Sequence, residues 1–324
     1  MKLYRISYIL GLLCLVLIIA GCSSDEISSP LPDDGEIKPG DPVMFTTYVP
    51  VRAMTRYADE AEFNAEMAKY KTPTENYTFK YYIYNNAGTQ LASGSQLYWP
   101  DNTQPYGFKA TAGTEELEND QSAKEKYLPQ DRLEGFGYEP IWNGSVPVDD
   151  IDDLNYRTCV EWKAANAERG VDAADQKKIP LYLKHKRSRI TVILKAGDGV
   201  RREELVLNAA STNIAATIYS YGTSDLYITP YAYEELIESV YYTHYTAIVE
   251  PHNYTSQNIV TINLSGQSVT FSGSYDISTA GKHLILTLTL TRADSFKVLV
   301  TAQVTDWVDD ETTKTLDDFN QEIN

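Results

Sequence analysis

Apolar and polar side chains alternate along several short segments of this chain, which is the period-two pattern of a half-buried β-strand. The first such segment places Val43, Phe45, Thr47, Val49 and Val51 on one face. Pro50 has no amide N–H, so this strand is expected to lie at a sheet edge or to end near residue 50. The pattern is clearest at residues 283–291, where every second residue is a leucine on one face.

The same pattern predicts further strands at residues 79–84, 97–100, 108–112, 181–183, 190–194, 214–219, 259–264, 269–271 and 296–304. Short helices are expected at 57–71 and 162–170, a polar loop at 115–131 and a turn at 149–153. Many short strands with frequent turns indicate an all-β sandwich or barrel, and strands do not alternate with helices as in an α/β enzyme. A length of 324 residues suggests two domains, with a predicted boundary near 177–179.

The N-terminal segment has the features of an export signal. Lys2 and Arg5 precede an apolar run at 9–20, which is too short to span a bilayer and has the length of a signal-peptide core. The run ends in Ile-Ala-Gly before Cys22, the pattern of a bacterial lipobox. We therefore predict a lipoprotein signal peptide at 1–21, acylation of Cys22 with palmitate-type chains, and a flexible tether rich in Pro and Gly at 22–42.

Charge and cysteine content narrow the class of protein. The formal net charge is −17, which argues against nucleic acid as a partner because phosphate binding needs a basic surface. Cys14 would leave with the signal peptide and Cys22 would be acylated, so Cys159 would be the sole thiol and no disulfide could form within the chain. The 25 tyrosines favour strands and binding surfaces.

The search for enzyme chemistry is negative. His185, His244, His252 and His283 lack metal-ligand spacing, and solvated or packed histidine is the expected role of each. No nucleophile elbow or phosphate-binding glycine motif occurs. The acidic run at 149–153 lacks the glycine and distal glutamate of a calcium loop, so a solvated charge run is expected. We predict no catalytic residues, no metal and no cofactor.

Several aromatic residues are candidates for stacking on sugars. They are Trp99, Trp142, Trp162 and the tyrosines 241, 242 and 245. For Trp99 and Trp307 we favour a place in the core, because each lies at the end of an alternating segment.

Motifs along the whole chain resemble one family. In chain order they are the lipobox, the 43–51 strand with Thr55-Arg56, Leu97-Tyr98-Trp99-Pro100, Tyr106-Gly107-Phe108-Lys109-Ala110, the segment from Ile179 to His185 with Arg189-Ile190-Thr191-Val192, Glu250-Pro251, Ala280-Gly281-Lys282, and Val304-Thr305-Asp306-Trp307. With these motifs the chain resembles the fimbrillins, the Mfa-like and FimA-like type V pilin lipoproteins of Bacteroidetes.

The resemblance implies a fold and a mode of assembly. It implies two transthyretin-like β-sandwich domains, at 43–178 and 179–324, and no enzymatic activity. It implies cleavage by an arginine-specific protease, for which Arg56 is the first candidate and Arg52 the second. The removable strand would carry Val43, Phe45, Val49 and Val51, and a strand from another pilin subunit would replace it.

The resemblance also implies partners and a location. The partners are other pilin subunits, outer-membrane lipid through acylated Cys22, and surface ligands of host or bacterial cells. The location is the outer membrane and the fimbrium at the cell surface. Leu316, Phe319 and Ile323 are spaced by three and four rather than two, so the C-terminal tail is a poor donor strand. A tip or accessory role is therefore favoured over a stalk role. The alternative is a monomeric surface lipoprotein that binds glycans through exposed Tyr and Trp.

Overall fold

A computed structural model describes residues 36–50, 60–67, 70–71, 77–144, 146–207, 214–237, 240–292 and 297–307. The fold is all-β, as predicted. The strands are β1 (Pro42–Pro50), β2 (Tyr70–Lys71), β3 (Lys80–Asn85), β4 (Gln90–Gly94), β5 (Leu97–Tyr98), β6 (Tyr106–Ala112), β7 (Leu133–Gly137), β8 (Trp142–Asn143), β9 (Val146–Pro147), β10 (Lys178–His185), β11 (Ser188–Ala196), β12 (Ile214–Ser220), β13 (Leu226–Ile228), β14 (Tyr231–Ile237), β15 (Val240–Val249), β16 (His252–Leu264), β17 (Gln267–Ile277), β18 (Lys282–Thr291) and β19 (Lys297–Asp306). The helices are α1 (Glu60–Met67), α2 (Lys124–Tyr127) and α3 (Cys159–Glu168), with 3-10 turns at Leu128–Gln130 and Arg202–Glu204. No helix in these described ranges is long and apolar enough to cross a membrane.

The first half of the chain forms one eight-stranded sheet in the order β2-β1-β10-β7-β6-β3-β4, with β5 also paired to β1. β1 and β10 are parallel, and the remaining pairs are antiparallel. Aromatic rings fill the space on one side of this sheet: Phe108 meets Trp99 edge-on at 5.3 Å and Trp162 at 6.5 Å between ring centroids. All three rings are buried.

Helix α3 brings one of those rings to the sheet. Its N-terminus is fixed by a capping box, in which the Thr158 side chain accepts from the backbone N–H of Glu161 and the Glu161 carboxylate accepts from the N–H of Thr158. Cys159, Trp162 and Ala165 then follow at helical spacing and are buried. The helix predicted at 162–170 is thus present, but it begins three residues earlier, where the cap sets its start.

The second half is a two-sheet sandwich. A five-stranded sheet, β14-β15-β11-β18-β19, lies against a four-stranded sheet, β13-β12-β16-β17. The four leucines on one face of β18 are fully buried in the shared core, together with Ile190 and Val192 of β11 and Ile218, Val260 and Ile262 of the facing sheet. The leucine row predicted from the sequence is therefore the centre of this core.

The strand that follows the predicted boundary at 177–179 belongs to the first sheet. β10 pairs with β1 and β7, and the chain enters the second group of sheets only at β11. Between them lies Arg187, which is 2% exposed and donates to the carbonyls of Gln130 and Glu115 at 2.7 and 2.9 Å. Two hydrogen bonds between the Gln121 side chain and the Ile248 backbone also join the two halves. The Gln121 amide donates to the Ile248 carbonyl, and the Ile248 N–H donates to the Gln121 side-chain oxygen, each at 2.9 Å.

Candidate functional site: the first strand and the groove it fills

Strand β1 is held along one side by a single neighbour. Its residues Met44–Tyr48 pair in parallel with Lys178–Tyr182 of β10. On its other side, the described residues pair only with its two ends: Pro42 and Val43 with β5, and Val49 and Pro50 with β2. Release of β1 would therefore break one ladder, with β10, and only short pairings at its two ends on the other side. Pro50 is the last residue of β1, as expected for a strand that ends near residue 50, whereas β1 itself lies between β2 and β10 rather than at the edge of the sheet.

The inward row of β1 fills a groove lined with aromatic rings. Val43, Thr47 and Val49 are buried, at 1%, 9% and 8% exposure. Between them, the Phe45 ring stacks on Tyr81 with centroids 4.2 Å apart and planes within 10°, and it meets Phe108 edge-on at 5.7 Å. Both geometries are favourable for aromatic pairs, so Phe45 is the main anchor of the strand.

The outward face of β1 is anchored at one point. Tyr48 stacks on Tyr182 of β10, with centroids 4.7 Å apart and planes within 17°, and Tyr182 in turn meets Tyr138 edge-on. Burial raises the pKa of the Tyr182 phenol far above its ordinary value, so this hydroxyl stays protonated. Met44 on the same face is 38% exposed.

A buried ionic cluster lies next to this contact. The Glu139 side chain is fully buried, 3.4 Å from the Arg169 guanidinium. Its backbone N–H donates to Asp149, which is paired with Arg157 at 2.9 Å. Burial raises the pKa of Glu139 to about 7, because desolvation of its carboxylate outweighs the attraction of both arginines. The prediction of a solvated acidic run at 149–153 is thus wrong for Asp149, while Asp150, Asp152 and Asp153 are exposed.

Several predicted site residues lie outside the described residues. They are Cys22, Arg52, Arg56 and Val51. The tail at 308–324 also lies outside them. Among the residues that the structure does describe, no group of three or more His, Cys, Asp or Glu side chains could hold a metal ion.

The aromatic residues discussed for sugar binding or for the core differ in how far they are exposed. Trp99 and Trp307 are each 2% exposed, which confirms their expected place in the core. Trp162 is 1% exposed and Tyr245 is 4% exposed, so neither can stack on a sugar, and the prediction is wrong for both. Trp142 is half-buried and packs on Phe63. Tyr241 is 56% exposed.

Three of the histidines are packed in the interior. His185 lies 2.8 Å from Asp131 and stacks on Trp307 at 4.2 Å, while His283 is hydrogen-bonded to Thr191 at 2.8 Å. His244 is also buried. Sequence reasoning missed the buried Arg187, because its partners, the carbonyls of Gln130 and Glu115 and the carboxylate of Glu250, are more than 50 positions away in the chain.

Residues 164–307 match a family model described as fimbrillin-like. This match confirms the resemblance found in the sequence, over the part of the chain that it covers. This match indicates a pilus-type or adhesin-type subunit at the cell surface. No curated protein matches the chain.

Three of the solved structures that resemble the chain come from Bacteroides and Porphyromonas species. A putative cell adhesion protein from Bacteroides uniformis is 14% identical, with a TM-score of 0.41 over 71% of this chain and 91% of that one. A putative cell adhesion protein from Bacteroides ovatus is 8% identical, with a TM-score of 0.43 over 84% and 99%. The fimbrial anchor protein Mfa2 from Porphyromonas gingivalis is 12% identical, with a TM-score of 0.34 over 81% and 97%.

Proposed function

We propose that this protein is a structural, adhesive pilus subunit that is exported as an outer-membrane lipoprotein and assembled by strand exchange. Proteolysis after Arg56 or Arg52 would release β1, and a strand from another subunit would take its place. The observation that carries this proposal is the pairing of β1. It fills an aromatic groove, but its middle residues Met44–Tyr48 pair with β10 alone, and only its ends pair with β5 and β2.

The position of the arginines supports release of the strand. Arg52 and Arg56 follow β1 directly in the sequence, after its last strand residue Pro50. Cleavage there would separate β1 from the rest of the chain without cutting through any described strand or helix. The released piece would carry Cys22, so the same cut would detach the subunit from its lipid anchor.

Release of β1 would leave a strong acceptor for another strand. The edge of β10 at Lys178–Tyr182 would lose its ladder partner, and the rings of Tyr81 and Phe108 would lose their cover. An unpaired strand edge beside an apolar cleft favours β-augmentation, in which main-chain hydrogen bonds give affinity and alternate side chains give specificity.

The first experiment identifies the N-terminus of the protein in outer-membrane and shed fractions by mass spectrometry. We expect chains that begin at Ala53 or Tyr57. A control with Arg52→Lys and Arg56→Lys keeps both charges and should accumulate chains that begin at Cys22. If the wild-type protein carries only Cys22 as its N-terminus, with β1 attached, assembly by this route is refuted.

A second experiment tests the groove itself. Pro42 and Tyr98 face each other across the antiparallel β1–β5 pair and are both exposed, so Pro42→Cys with Tyr98→Cys should form a disulfide. Cys159 is 1% exposed and should not compete. The locked protein should still be cleaved, but SDS-resistant ladders should appear only after reduction. The control is Pro42→Cys alone. Ladders at the wild-type level in the oxidised, locked protein would refute strand exchange at this site.

Within such a pilus we favour a tip or accessory position. The segment after Trp307 lacks a period-two pattern, so it is a poor strand to donate, whereas the acceptor groove is well formed. Immunogold labelling of intact pili should then mark ends rather than shafts. Continuous labelling along the shaft would contradict this assignment.

A further inference from the structure

The outer face of the four-stranded sheet in the second half is exposed and carries almost no charge. In β12, β13, β16 and β17, all of which the structure describes, Asp276 is the only Asp, Glu, Lys or Arg. The chain as a whole is 23% charged, with a net charge of −17. Charged residues are common on the solvent side of ordinary sheets, so a face without them is unusual.

Hydroxyl and amide groups cover this face in rows. The strand register brings Thr217, Thr261 and Thr270 side by side across three strands. The Thr261 hydroxyl lies 2.8 Å from that of Thr270 and 2.9 Å from that of Tyr219. In the next row Ser272 donates to the Asn258 side chain at 2.7 Å. Each of these groups can both donate and accept hydrogen bonds.

One exposed aromatic ring stands at the edge of these rows. Tyr227 on β13 is 64% exposed, and Tyr219 supports it edge-on, with ring centroids 5.2 Å apart and planes at 90°. A ring held this way presents an apolar surface beside polar groups at little cost in conformational entropy. We call the face formed by Tyr219, Tyr227, Asn258, Thr261, Thr270 and Ser272 the hydroxyl platform.

From these features we infer that the hydroxyl platform binds an uncharged polysaccharide. Sugar hydroxyls match a surface of groups that both donate and accept, and the apolar face of a pyranose ring matches an exposed tyrosine. Charge complementarity selects the ligand: a platform without cations offers nothing to an anionic polysaccharide, while a neutral chain meets no repulsion.

The platform is a poor match for a protein partner. The fully buried centre of a protein interface is apolar. Among the described residues, Tyr227 is the only large apolar side chain that is well exposed on these four strands, and all the others lie elsewhere. The inference goes beyond strand exchange, because the platform lies in the other half of the chain from β1 and requires no cleavage.

Affinity electrophoresis of the full chain tests this inference, in gels that contain mannan or mixed-linkage β-glucan, with alginate as the anionic comparison. We expect retardation by a neutral polysaccharide and none by alginate. Tyr227→Ala should weaken binding about tenfold, which corresponds to a loss of about 1.4 kcal/mol, the upper range for one aromatic contact. Thr270→Lys should weaken it similarly. Binding should change little between about 0.05 and 0.5 M salt, because no ion pair is involved.

Two matched control variants replace exposed tyrosines that lie outside the hydroxyl platform. Tyr98 is 58% exposed on β5 and Tyr241 is 56% exposed on β15. Tyr98→Ala and Tyr241→Ala should leave binding unchanged, and all four variants change exposed positions and should fold. The inference would be overturned if neither mannan nor mixed-linkage β-glucan retarded the protein. It would also be overturned if the control substitutions weakened binding as much as Tyr227→Ala does. Self-association that Tyr227→Ala abolishes, without polysaccharide binding, would instead assign the platform to a protein contact.

Discussion

Replacement of Phe45 by alanine tests whether this one ring anchors the first strand. Phe→Ala at a fully buried site costs about 3–5 kcal/mol. Phe45 is half-buried, with one stacked and one edge-on neighbour, so we expect about 2 kcal/mol. That free energy corresponds to a roughly thirtyfold increase in the population in which β1 has separated from the sheet. If the loss acts on the whole fold, the melting temperature should fall by about 4–8 °C.

The matched control is the neighbouring residue on the same strand. Met44 points to the opposite face and is 38% exposed, so Met44→Ala should change stability by no more than about 0.5 kcal/mol. Both variants keep the backbone pairing of β1 with β10 and differ only in which face loses a side chain.

Hydrogen–deuterium exchange with thermal denaturation provides the readout. In Phe45→Ala, a peptide covering Lys178–His185 should exchange faster, because β10 loses its neighbour whenever β1 separates. Met44→Ala should resemble the wild type. Equal effects of the two substitutions would refute the register in which Phe45 faces the groove. No effect from Phe45→Ala would refute its role as the anchor.

Three further predictions concern buried residues outside the first strand. Burial raises the pKa of Glu139 from 4.5 to about 7, so the folded state binds this proton more tightly than the unfolded state does. The free energy of unfolding should therefore fall as the pH rises between those values. In urea titrations, Glu139→Gln should reduce this fall and be more stable than the wild type at pH 8. Arg187→Lys should destabilise the protein by about 3 kcal/mol in the same titrations, because one ammonium group cannot replace a buried guanidinium that reaches two carbonyls and Glu250; an unchanged midpoint would contradict this role. Gly135→Ala should abolish folding, judged by circular dichroism, because its Cβ would overlap the backbone of Tyr182, whereas Gly94→Ala would meet its nearest atom at 3.4 Å and should fold normally.

Local patterns in the sequence predicted most of the strands correctly. The alternation at 43–49 and the proline at 50 match the extent of β1, and the leucines of 283–291 lie in the core as expected. Helix positions were less accurate. Within the helix predicted at 57–71, the described residues Glu60–Met67 are helical, but Tyr70–Lys71 form β2. Helix α3 begins at its capping box rather than at the first residue of the predicted helix. Where a helix begins or ends depends on capping side chains and on pairing with neighbouring strands, as well as on its apolar pattern.

Residues that depend on distant partners could not be located in this way. Trp162 was a candidate for sugar binding, but α3 packs it against the sheet. Asp149 stands in an acidic run, but the fold brings Arg157 to it and takes both from solvent. The uncharged strands that form the hydroxyl platform are visible in the sequence, but the alignment of their hydroxyl groups depends on register.

The sequence by itself determined the position and the apolar side of those strands that alternate clearly, because alternation is a local property with a period of two residues. It did not predict β14 and β15. It also contained the pattern before Cys22 from which a lipobox is predicted, and the arginines after the first strand. The tertiary structure alone decided that β1 lies parallel to β10, more than 130 residues away in the chain, and that β10 belongs to the first sheet rather than the second. Strand partners and register follow from packing between distant segments, where many pairings satisfy the same local pattern and only the complete core selects one.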